Sequence, residues 1–200
     1  SEHLKKPEAA VEVKSQIKDY IKGDIVVVSG LPRSGTSMMM QMLDKGGLEI
    51  FTDGLRTPDE NNPKGYYEHE LVKSLARNKT WMKDAMGKGV KVISHLLFEL
   101  PANYRYRIIF MERDLDEVIK SQHHMLVRDG KAKEDALNLR IVNAFKQNLE
   151  RVQTWVPQQQ NMEILYVSHR NLVNNPTEEL KKINAFLGGT MNVDAMAAVV

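Results

Sequence analysis

Short, nearly continuous apolar runs alternate along the chain with longer stretches of helical period. Asp24 to Ser29 (DIVVVS) is almost wholly apolar and ends at Gly30, the pattern of a strand buried on both faces. Val90 to Ser94, Arg107 to Met111 and Ile164 to Ser168 repeat it and predict three further strands. Helix signals fill the intervals. Ser37 to Asp44 reads as a helix stopped by Gly46-Gly47, and Tyr67 to Met86 as another. Asp114 to Val127 predicts a helix with acidic residues in its first turn. Glu134 to Trp155 predicts a longer one, ended by Pro157. Pro176 to Leu187 follows Asn174-Asn175 and closes at Gly188-Gly189. Residues 1 to 23 are polar and predict a helix or arm. Residues 48 to 66 carry Gly, Pro and Asn with little period and predict a long loop or lid, extending to about residue 70. Strands alternating with helices predict an α/β three-layer sandwich around a central parallel sheet. A length of 200 residues predicts one domain over residues 1–200.

Composition removes several function classes. The 28 Lys and Arg nearly balance 26 Asp and Glu, so the basic face of a dedicated nucleic-acid binder is not expected. Cysteine is absent, which excludes a disulfide scaffold and any thiolate metal site. His123-His124 would point apart on a helix, and no metal is expected. The longest apolar runs fall far short of the roughly 20 residues of a membrane span. Ser1 to Lys6 has no apolar core behind its charges, so a secretory signal is not expected and the cytoplasm is.

The strongest chemical signal is Gly30-Leu31-Pro32-Arg33-Ser34-Gly35-Thr36-Ser37, which follows a buried strand and opens a helix. In that context a glycine turn aims backbone N–H groups at an anion, and the helix dipole adds attraction. Gly30 and Gly35 have the G-x-x-x-x-G spacing of a phosphate-binding P-loop. Thr36 stands where that motif carries its lysine, and the cation lies three residues earlier, at Arg33. The loop suits an anion of lower charge than a triphosphate. The plain alternative is a strand-turn-helix connection that uses glycine for geometry alone.

Pro32-Arg33-Ser34-Gly35-Thr36-Ser37 resembles the 5'-phosphosulfate loop of sulfotransferases that use 3'-phosphoadenosine 5'-phosphosulfate (PAPS). The Pro-Arg form is closest to tyrosylprotein sulfotransferases and small bacterial members. The resemblance implies a P-loop-like fold. It implies that residues Ser34, Gly35, Thr36 and Ser37 hold the 5'-phosphate and that Arg33 touches the bridging oxygen as charge develops there. Tyr106 to Arg113, followed by Asp116-Glu117-Val118 and Ser121, is similar to the family's 3'-phosphate motif, in which arginine and serine also stand eight apart. Arg113 and Ser121 are the implied ligands. Without the resemblance, Arg113 could equally form a strand-end salt bridge with Asp114 or Asp116, and Ser121 could lie on a solvated face. Ile164 to Ser168 and the helix ending Phe186-Leu187-Gly188 resemble the last core strand and helix of the family. His169 falls near an adenine-contacting tyrosine of cytosolic members. Met38 departs from an aromatic at its position, and the family's glycine-rich phosphate clamp is not found before Val200. The resemblance spans about residues 24 to 188.

Sulfuryl transfer to a hydroxyl or amine needs a base within hydrogen-bond reach of the acceptor. Three residues are candidates. His95 follows the second strand, where Ser94-His95-Leu96 resembles a segment of cytosolic members, with Lys91 a helper on the same strand face. Asp53 stands close to a catalytic glutamate position of tyrosylprotein sulfotransferases, and Glu68 ends the predicted lid. Each has a bland reading: a core histidine, a turn-former before Gly54, or an acid at a helix start. The acceptor is unidentified. Two rival functions stand beside PAPS-dependent sulfuryl transfer: a non-catalytic module binding PAPS or its product adenosine 3',5'-bisphosphate (PAP), and a small P-loop nucleotide kinase.

Overall fold

A computed structural model describes residues 19–51, 70–131, 133 and 139–200. Four parallel strands form the sheet: β1 (Ile25–Gly30), β2 (Gly89–Lys91), β3 (Tyr106–Glu112) and β4 (Met162–Ser168). Their order is β2-β1-β3-β4. β1 sits centrally because each of its residues is buried, and it pairs along its length with β3. Its alternate side chains feed two cores. Ile25 and Val27 pack with Ile108, Phe110, Trp81, Leu97 and Val152. Val26 and Val28 pack on the other face with Met39, Met42, Ile109, Leu180 and Ile183. These are the two interfaces of the three-layer α/β sandwich.

The second face is covered by α1 (Thr36–Lys45), α5 (His169–Asn174), α6 (Pro176–Phe186) and α7 (Val193–Ala197). Met39, Met40 and Met42 of α1 are buried in this core, and Met38 packs against it. The first face carries 3₁₀ turns at Thr80–Ala85 and Ser94–Glu99, the short α2 (Glu70–Lys73), and α4 (Leu139–Trp155). α3 (Leu115–Arg128) leaves the carboxyl end of β3, and the Asp114 side chain caps it by accepting from the Glu117 N–H at 3.1 Å.

Three expectations change. The helix expected over Tyr67 to Met86 is broken: between α2 and Thr80–Ala85 the chain turns. Asn78 supplies the reason. Its side-chain oxygen accepts from the Thr80 N–H and hydroxyl, and its carbonyl accepts from the Trp81 indole, drawing the backbone out of helix. β2 stops at Lys91, and Ser94 opens a 3₁₀ turn, so Lys91 and His95 do not share a strand face. The short helices α5 and α7 were not signalled by periodicity, being too brief to display one. Residues 1–18, most of the expected lid, and 134–138 of the expected long helix lie outside the described residues. Among the described residues, no helix is long and apolar enough to cross a membrane.

Candidate functional site

All four strands run the same way, so their carboxyl ends open on one edge, where ligands bind in such sheets. β1 delivers the glycine loop there. Gly30 has φ 148°, and a Cβ would lie 2.9 Å from the Met111 carbonyl oxygen and 2.5 Å from Ser34 Oγ. No other residue fits without moving β3. Ser34 is buried and its hydroxyl donates to the Leu31 carbonyl at 2.6 Å, closing the turn. Arg33 takes a left-handed φ of 64°, a conformation costing on the order of 1 kcal/mol for a residue with a side chain. Gly35 caps α1 at φ 98° with no side-chain cap, an arrangement chemically suited to an anion.

The two sequence motifs meet. Arg33 Nε donates to Ser121 Oγ at 3.1 Å across 88 residues of sequence. Arg113 Nη1 donates to the Arg33 carbonyl at 2.9 Å, so the second arginine braces the backbone of the first. Arg113 Nε also pairs with Glu117 Oε2 at 3.2 Å. Its carboxylate partner is therefore one helical turn along α3. Asp114 is instead the α3 cap. The i,i+4 spacing of Arg113 and Glu117 carries that signal in the sequence. A crevice lined by Leu31, Ser34, Glu112 and Arg113 opens beside the loop.

Other groups approach from neighbouring strands. His169, the first residue of α5, lies half-buried against the loop: a Cβ on Gly35 would meet its Cδ2 at 2.7 Å. Burial lowers the imidazole pKa, Arg113 lowers it further, and Glu117 opposes both. Lys91, at the end of β2, donates from Nζ to Ser37 Oγ at 2.9 Å. Met38 is half-buried and packs against the methionine-rich core.

The structure thus brings together Arg33, Ser34, Gly35, Thr36, Ser37, Arg113 and Ser121. It places His95 at the same edge of the sheet, exposed on the 3₁₀ turn after β2. Its neighbour Ser94 is buried and its hydroxyl donates to Asn148 Oδ1 of α4. His95 is accordingly a surface histidine, and the core alternative is set aside. Asp53 and Glu68 lie outside the described residues. Among the described residues, no group of three or more His, Asp or Glu could hold a metal ion.

A family model described as sulfotransferase domain matches residues 23–200. No curated protein matches the chain significantly. Among solved structures, the chain is similar to a mouse sulfotransferase, SULT7A1, complexed with PAP: 16% identity and TM-score 0.50, over 94% of this chain and 65% of that one. It is also similar to the sulfotransferase domain of an olefin synthase from Synechococcus PCC 7002: 16% identity and TM-score 0.51, over 92% of this chain and 78% of that one. The chain therefore spans less than two thirds of the mouse protein's length. Identities this low speak to the fold, and that fold is the one the strand order above describes.

Proposed function

The chain belongs to the sulfotransferase family, and we propose that it moves a sulfuryl group from PAPS to a hydroxyl or amine acceptor by in-line displacement. PAPS supplies an activated sulfuryl group, whose sulfur gains a bond to the acceptor as its bond to the phosphate oxygen breaks. The residues fit such a nucleotide. The uncapped start of α1 and the Ser34 to Ser37 backbone suit the 5'-phosphate. Arg33, on the same loop, is the cation that would neutralise charge growing on the bridging oxygen. Arg113 and Ser121 suit the 3'-phosphate, with Arg113 able to grip it bidentately. The acceptor proton passes to a base, with His95, Glu68 and Asp53 as the candidates. A less charged sulfuryl group calls for no magnesium clamp, in keeping with Thr36 at the P-loop lysine position.

The observation that carries this reading is the 3.1 Å contact between Arg33 and Ser121, which sets two motifs far apart in sequence side by side. It is tested by incubating the protein with sulfur-labelled PAPS and a panel of hydroxyl and amine acceptors. Label should move to an acceptor, and Arg33→Ala should slow transfer by about 10²–10³-fold. PAP binding with no transfer to any acceptor would favour a non-catalytic module.

A further inference from the structure

Resting on the sulfotransferase reading of the loop, we propose that Lys91 is a positioning residue for the 5'-phosphate and acts through the Ser37 hydroxyl. β2 pairs in parallel with β1, and its register sets Lys91 beside Val28, two residues before Gly30. The side chain therefore leaves β2 directly under the glycine loop. It ends 2.9 Å from Ser37 Oγ, in the first turn of α1. Lysine and serine are each 8% exposed.

Two physical arguments give this contact a role. An ammonium can only donate, so Lys91 occupies a lone pair of the Ser37 hydroxyl and turns its proton away from β2. An oxygen polarised in this way is a better donor, and hydrogen-bond chains strengthen one another in a low-dielectric interior. A cation at the amino end of a helix also opposes the helix dipole. An anion seated on that end reverses the sign, and attracts the dipole and the ammonium together. Burial of both groups keeps water from screening the attraction. The lysine thus raises the loop's preference for a charged 5' group without touching the nucleotide.

The test separates this role from a structural one by changing the ligand. PAP and adenosine 3'-phosphate share the base, the ribose and the 3'-phosphate, and only PAP carries the 5'-phosphate. Both are titrated by calorimetry into wild type, Lys91→Met, Ser37→Ala and the double variant. Lys91→Met should weaken PAP by about tenfold or more and leave adenosine 3'-phosphate within about twofold. Ser37→Ala should do the same, and the double variant should lose little beyond either single change. If Lys91→Met does not fold, the selective loss in Ser37→Ala, compared with Lys91→Arg, carries the test. Equal losses for both nucleotides, no loss of PAP, or additive losses would overturn the role of Lys91. Wild type that binds neither nucleotide would overturn the sulfotransferase reading itself, and this inference with it.

Discussion

The two ends of the sheet both gather arginines, and they use them in opposite ways. At the amino end, Asp24 and Arg107 are each 3% exposed and Glu163 only 9%. Arg105 Nε meets Asp24 Oδ1 at 2.8 Å, and Arg107 Nε lies 3.7 Å from Asp24 Oδ2. The Arg107 guanidinium also lies 5.0 Å from the Phe186 ring centre. Burial pushes the Arg107 pKa down, and the carboxylates of Asp24 and Glu163 restore part of it. At the carboxyl end, Arg33 reaches a serine hydroxyl and Arg113 a backbone carbonyl. The acid paired with Arg113, Glu117, is 48% exposed, so its hold is weakened by solvent. Buried carboxylates close the amino end as structure. At the carboxyl end the contacts include neutral oxygens and an exposed acid, a weaker hold that suits the anion site proposed here.

The largest change is expected at Asp24. Asp24→Ala removes one of the carboxylates facing the buried Arg107, and losing one partner of a buried ion pair costs about 3–5 kcal/mol. Urea unfolding should show that loss, while the folded fraction keeps its PAP affinity. Reduced affinity there would mean that the two ends are not separable. Arg33→Ala should behave inversely, with the 10²–10³-fold rate loss and almost unchanged unfolding. A large stability loss would make Arg33 a structural residue.

The smallest effect concerns pH and His169. Burial and Arg113 depress its folded pKa below the ordinary histidine value of about 6.5. The unfolded chain then binds the proton more readily, so stability rises with pH across the window between the two values. It is complete above about pH 6.5 and falls on acidification through that window. Chemical denaturation from pH 7.5 to 5 should show His169→Gln losing less stability than wild type. A steeper loss in the variant would place the titration elsewhere.

Much of this was legible because it is local. The run Ile25 to Val28 announces a two-sided strand, and Gly30 and Gly35 mark a turn that only glycine fits. Arg113 and Ser121 stand out through the resemblance to the family's 3'-phosphate motif, whose eight-residue spacing a strand end and the following helix preserve. What escaped depends on three-dimensional register. The Lys91 contact with Ser37 spans 54 residues and follows only from β2 lying beside β1. The helix expected before β2 failed because one side chain, Asn78, outcompeted the helical hydrogen bonds at its position. Glu117 was passed over as the partner of Arg113 for two closer acids, although Asp114 was committed to capping α3.

We propose that the glycine loop and the Arg113–Ser121 motif form one site for a nucleotide carrying both 5' and 3' phosphates. Its most direct test is thermal unfolding of wild type and Arg113→Ala with PAP, set against ATP plus magnesium. Wild type should show a PAP-selective stabilisation of about 2.7 kcal/mol at a hundredfold excess over Kd, largely lost in the variant. An ATP-selective, magnesium-dependent stabilisation indifferent to Arg113 would contradict it and point to phosphoryl transfer.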